Sequence, residues 1–137
     1  MKKNILNELG KRMVFFDGGM GTLLQERGLE AGELPENWNL EHPDIIRELH
    51  RDYLNAGADI ILANTFGANE LKFPDNLEEI VTKGVQNAKK AVEETGKDGY
   101  VALDVGPTGK LLKPLGTLDF EDAVSIFART IKAGAAA

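Results

Sequence analysis

The hydrophobic positions of this chain fall into short continuous runs separated by longer stretches of helical spacing. Met13 to Asp17 is an apolar run that ends on a carboxylate. Asp59 to Asn64 carries Ile60, Ile61, Leu62 and Ala63 without a break, and Tyr100 to Val105 is a third such run. Runs without apolar–polar alternation suit strands buried on both faces, as in parallel sheets. After Pro43, which suits a first helical turn, Ile45, Ile46, Leu49, Tyr53 and Leu54 mark a helix that Gly57 ends. Leu77, Ile80, Val81, Val85, Ala88 and Val92 mark the next, which ends near Gly96. Phe120, Val124, Phe127, Ala128 and Ile131 mark the last, with Asp119 or Thr117 as its cap and Lys132-Ala133-Gly134 as its end. Shorter helices are expected over residues 4–11 and from Thr22 to Arg27, the second stopping at Gly28. Leu29 to Glu41, with Gly32, Pro35, Asn37, Trp38 and Asn39, reads as a long loop.

The pattern is strand, loop, helix, three times over, with strand starts recurring at roughly 40–45 residues. Each cluster of chemical interest follows a strand. Asp17-Gly18-Gly19 follows the first, Asn64-Thr65-Phe66-Gly67 the second and Gly106-Pro107-Thr108-Gly109 the third. In a (β/α)₈ barrel these are the positions of the active site. The fold class expected is therefore α/β, the first three βα units of such a barrel, with residues 1–137 forming one N-terminal portion that stops before a fourth strand. A complete barrel takes about 250 residues.

Composition narrows the picture. The chain has 137 residues, a net charge of −6 and no basic stripe, so nucleic-acid binding has no electrostatic support. It contains no cysteine, which excludes disulfides and any thiolate site of its own. The basic opening Met1-Lys2-Lys3 has no long apolar core behind it, so no signal peptide is read, and no apolar run is long enough to span a bilayer. A cytoplasmic location is expected.

Three of the four residues after Asp17 are glycines. Glycine lets backbone amides approach a ligand closely. An acid beside exposed amides reads a small zwitterion, the acid holding an ammonium and the amides a carboxylate. The same residues also suit a plain strand-to-helix turn with an aspartate cap. Neither a dinucleotide fingerprint nor a Walker A loop fits, because position 24 is Leu24 and no Gly-Lys-Ser/Thr follows. Asn64 and Thr65 suit neutral partners for a substrate or for Asp17, and equally suit polar groups that satisfy loop backbone. Asp104 points toward the site or toward the helices. His42 and His50 have no metal-ligand spacing and read as solvated or helix-end residues. Trp38 reads as an anchor for its loop.

Taken in order, Asp17-Gly18-Gly19-Met20-Gly21-Thr22, Ala56-Gly57-Ala58-Asp59-Ile60-Ile61 running into Asn64-Thr65-Phe66-Gly67-Ala68, and Gly106-Pro107-Thr108-Gly109 resemble the homocysteine S-methyltransferase family. The likeness is to the N-terminal part of its barrel, as in the homocysteine-binding module of cobalamin-dependent methionine synthases. Leu34-Pro35-Glu36-Asn37-Trp38-Asn39-Leu40 and His42-Pro43-Asp44 fit it too. The resemblance implies a methyltransferase of one-carbon metabolism that methylates the homocysteine thiol to give methionine. It implies zinc held by three cysteines to activate the thiol, since a free thiol has a pKa of roughly 8.5 and a zinc-bound one is deprotonated. It implies that Asp17 holds the homocysteine amine, that Gly18 and Gly19 lie against its carboxylate, and that Asn64 and Thr65 line the same mouth. Cobalamin and methyltetrahydrofolate would act through other modules.

The departure from the family is the absence of cysteine. No metal ligand and no catalytic residue is assigned to this chain, and 137 residues alone are expected to be inactive, a fragment or a piece of a split barrel completed in cis or in trans. Two alternatives stand beside this reading. One is a lyase or hydrolase with Asp17 or Asp104 as general base. The other is a non-catalytic βα domain that assembles through exposed strand edges.

Overall fold

The computed structural model describes residues 4–137. Met1-Lys2-Lys3, read above as no signal peptide, lies outside the described residues. Among the described residues no helix is long and apolar enough to cross a membrane.

The helices are α1 (Gly21–Glu26), α2 (Trp38–Glu41), α3 (Pro43–Ala56), α4 (Leu77–Thr95) and α5 (Phe120–Ala136). Pro43 opens α3 at a position where an N–H would find no intrahelical partner, so the donor that proline lacks is not missed. Gly57 closes it in the left-handed region, at a φ of 112°, and returns its N–H to Leu54 and Tyr53. Gly96 ends α4 in the same way, at a φ of 64°.

Two strands form a parallel pair, β1 (Ile60–Leu62) and β2 (Tyr100–Ala102), with Ile60 opposite Tyr100. The expected first strand is reduced to a single parallel bridge, Phe16 to Ile60, on the other side of β1. Asp17 N–H donates to Ile60 O at 2.9 Å and Ile60 N–H donates to Phe15 O at 3.0 Å. The order across the sheet is thus the first segment, β1, β2. The outer segment has a partner on one side only, and Met13, Phe15 and Phe16 are exposed, so little holds it in a longer ladder.

Helix α4 packs between α3 and α5, and one core cluster joins Leu54 and Ile61 to Val85, Ala88 and Ala91. A second cluster of Leu24, Leu29, Trp38, Ile46 and Leu49 presses α1 and α2 onto α3. Each such buried large side chain contributes about 1.5–3 kcal/mol. Helix α5 is held by Thr130, whose hydroxyl donates to Ala68 O at 2.9 Å. Its Arg129 also forks onto Glu78 and reaches Glu70, each at 2.9 Å.

Outside the strands, three further segments differ from expectation. Residues 4–11 form only a 3-10 turn, Ile5–Asn7, capped by Asn4. The loop from Leu29 to Glu41 contains a 3-10 turn (Pro35–Asn37) and α2, because burial of Trp38 and Asn39 outweighs the local turn preference. Helix α5 runs through Gly134 to Ala136. A Cβ on Gly134 would lie 2.6 Å from Leu103 Cδ1, so this glycine permits close packing and does not stop the helix. Asp119 takes the N-cap position of α5 without a capping hydrogen bond.

Candidate functional site

The first segment, β1 and β2 all end on one side of the sheet, and their following loops enclose a cavity of about 500 Å³. Its wall includes Asp17, the Gly18–Gly21 turn, Glu36, Asn64, Thr65 and Asp104. The volume is in the range of small-molecule sites. All five residues named from sequence, Asp17, Gly18, Gly19, Asn64 and Thr65, meet here.

Asp17 is half-buried and its carboxylate is tied at one oxygen only. Oδ2 accepts from Leu62 N–H at 3.0 Å, while Oδ1 is shielded from water and has no protein partner among the described residues. Burial pushes the carboxyl above its ordinary pKa, and the charge of Asp104 adds to that, against the Leu62 hydrogen bond. Asp104, whose direction sequence left open, faces this cavity, and burial raises its pKa too. Among the described residues no Lys, Arg or His lines the cavity. Two carboxylates in such a place favour a cationic ligand group.

The glycine turn supplies the complementary charge. The N–H groups of Gly18, Gly19 and Met20 have no acceptor among the described residues. The carbonyl of Gly19 is held from α3 by the Tyr53 hydroxyl, which donates at 2.7 Å. Acid and free amides therefore stand side by side, as a zwitterion requires.

Asn64 and Thr65 line the cavity with side chains that are already occupied. The Asn64 amide donates to Pro35 O at 2.9 Å and to Asn39 Oδ1 at 3.0 Å. Asn39 in turn donates to Asn64 O at 2.8 Å, and Asn87 donates to Asn39 O at 3.0 Å. Fully buried Thr65 donates to Asp104 O at 2.8 Å and accepts from Asp104 N–H at 3.2 Å, which locks the ends of β1 and β2 together. These two residues shape the floor.

Glu36 was not singled out from sequence. It is 3% exposed; Oε1 accepts from Gly67 N–H at 2.5 Å and Oε2 has no partner among the described residues. Its sequence signals are an acid beside a proline in a loop rich in turn residues and its place in the Leu34–Leu40 segment that resembles the family. Glycine at 67 leaves room for this carboxylate, since a Cβ there would lie 2.7 Å from Glu36 Oε1.

His50 corrects the sequence reading of a solvated residue. It is fully buried, neither ring nitrogen has a partner among the described residues, and burial lowers its pKa to about 4. His42 does sit at the start of α3, with its ring 4.5 Å from that of Trp38 in an edge contact. Trp38, 4% exposed, is the anchor expected. Among the described residues no group of three or more His, Cys, Asp or Glu side chains is placed to hold a metal ion.

Comparison with known proteins gives a consistent picture. The family described as homocysteine S-methyltransferase matches residues 14–137. The methionine synthases of Mycobacterium tuberculosis and Mycobacterium leprae are each 34% identical over 124 residues, 79% of this chain and 10% of theirs. Among solved structures, the homocysteine methyltransferase MmuM from Escherichia coli in its oxidized form superposes with a TM-score of 0.81 at 26% identity, over 98% of this chain and 53% of that one. Its metallated form gives 0.77 at 25% identity, over 93% and 51%. The chain thus spans about a tenth of the curated relatives and about half of the solved ones.

Proposed function

The chain belongs to the homocysteine S-methyltransferase family, and from that membership we propose that it supplies the amino-acid-binding part of a site that methylates the thiol of homocysteine to give methionine. The observation that carries this is the pairing, in one cavity, of the Asp17 carboxylate with the free amides of the glycine turn. Asp17 takes the ammonium of homocysteine. The N–H groups of Gly18, Gly19 and Met20 take its carboxylate. Asn64 and Thr65 hold the floor, and Asp104 adds negative charge on the ammonium side.

A zinc site of three cysteines does not fit the residues present. The chain has no cysteine, and its described acids and histidines are not grouped for a metal. Thiol activation is therefore assigned to residues outside these 137, in cis or in trans, and no step through a metal is assigned to this chain. Cobalamin or methyltetrahydrofolate would enter through other modules, and a cytoplasmic role in methionine formation belongs to the same reading.

The whole chain is read as the first three βα units of a (β/α)₈ barrel, one domain portion over residues 1–137. The exposed apolar side chains of the first segment and of α5, among them Phe16 and Phe120, support a missing neighbour on each side. The same exposure supports the second reading, a βα unit that joins others through its strand edges.

The test is calorimetric titration of homocysteine into the intact protein, meaning this chain together with the residues that complete its barrel in cis or in trans, and into its Asp17→Asn variant. Loss of a charge-assisted bond worth about 1.5–3 kcal/mol should weaken binding roughly 10- to 150-fold. Metal content should stay as in the parent. Equal affinity in the two proteins would remove Asp17 from the site.

A further inference from the structure

Tyr53 lies on α3 and packs against the cluster of Leu54 and Ile61. Its hydroxyl crosses to the glycine turn and donates to Gly19 O at 2.7 Å. The ring also fills the space beside Gly18. A Cβ on Gly18 would lie 2.9 Å from Tyr53 Oη and 3.2 Å from Cε1, so the turn rests directly on the phenol. Burial and the neighbouring Asp17 charge raise the Tyr53 pKa, which keeps the hydroxyl in its donor form.

A trans peptide is planar, with its C=O and N–H pointing in opposite directions. Holding Gly19 O toward α3 therefore turns the Met20 N–H away from α3. Met20 lines the cavity and its N–H has no acceptor among the described residues. Three glycines within four residues would otherwise leave this peptide free to rotate, and a ligand would bear the entropy of ordering it.

We propose that Tyr53 is a positioning residue for the amino-acid end of the substrate, which clamps the Gly19–Met20 peptide from α3 and so aims the turn's amides into the cavity. The identity of the substrate rests on the homocysteine reading above; the clamp itself does not. Tyr53 touches no reacting atom. It acts through the turn, and its loss is felt in binding more than in the chemical step.

The experiment compares the intact protein with its Tyr53→Phe variant, which keeps the ring and removes only the donor. The KM for homocysteine should rise roughly 5- to 10-fold, and kcat should fall by less than KM rises. The amide NMR resonances of Gly18, Gly19 and Met20 should move while those of Gly67 and Gly106 stay. Tyr53→Leu, which also removes the support under Gly18, should give a larger KM change. An unchanged KM, or glycine resonances that do not move, would overturn the proposal. Absence of homocysteine binding by the parent protein would overturn the ligand reading, and the glycine resonances would then decide the clamp alone: moved, they support it, and unmoved, they overturn it.

Discussion

Asp17 is the carboxylate on which the proposed site rests, and it is held under strain: one oxygen is buried without a partner among the described residues. Its carboxyl is pushed up by burial and by Asp104, so the folded protein holds that proton more tightly than the unfolded chain does. The sign follows: the contribution of Asp17 to stability is present below the ordinary carboxylate pKa and is lost as pH rises through the raised value. Asp17→Asn should therefore raise the melting temperature of the ligand-free protein at neutral pH while it weakens homocysteine binding. A lower melting temperature would argue against a strained carboxylate. Binding should also fail at a higher pH on acidification than an ordinary carboxylate would allow, which titrations across the acid range would show. His50 behaves in the opposite sense. With a folded pKa of about 4 against an unfolded value of about 6.5, it withdraws stability as pH falls from the second value toward the first, on the order of 3 kcal/mol in all. Chemical denaturation at several pH values should show that slope flattened in His50→Leu; an unchanged slope would place the cause elsewhere. The acid and glycines of the site were legible because they follow an apolar run directly. Tyr53 and Glu36 were not, since nothing in their local sequence reports a contact across 34 or 31 residues.

Among the elements, helices α3 and α4 were legible to within a residue or two because apolar spacing, Pro43, Gly57 and Gly96 agree. The strands were legible in place but not in extent, because ladder length depends on neighbours. Glycine was the most ambiguous signal. Gly57 ends a helix, whereas Gly134 lies inside one and Gly84 sits under Asn39 and Thr65. What makes Gly84 necessary is the polar knot that joins α2, α4 and the end of β1. Asn39 is its centre, giving its amide to Asn64 O and Ile80 O and its carbonyl to Asn87. Asn39→Ala leaves buried polar groups unpaired at roughly 1–3 kcal/mol each. Its urea midpoint should drop accordingly with an unchanged m-value. A midpoint equal to that of the parent would mean that the knot does not hold these elements together.

At the scale of the whole molecule, the fold places every strand-end cluster on one side and leaves apolar surface at both flanks. Phe16 on one side, and Phe120, Val124 and Ile131 on α5, are exposed to an extent unusual for one small domain. The 137-residue chain by itself should elute from size exclusion as an assembly, and a compact, stable monomer would contradict the reading of uncovered edges. The α/β class and the order of the three units were legible in the spacing of apolar runs. What covers the flanks was not, because it lies in contacts these residues do not make with one another. The central proposal is local and does not depend on that cover: it assigns the amino-acid end of homocysteine to Asp17 and the glycine turn. Its most direct test is a crystal structure of the intact protein with homocysteine bound. The ammonium should lie within hydrogen-bonding distance of the Asp17 carboxylate, with the substrate carboxylate on the N–H groups of Gly18, Gly19 or Met20. An amino-acid end bound anywhere else, with the turn left empty, would contradict the account.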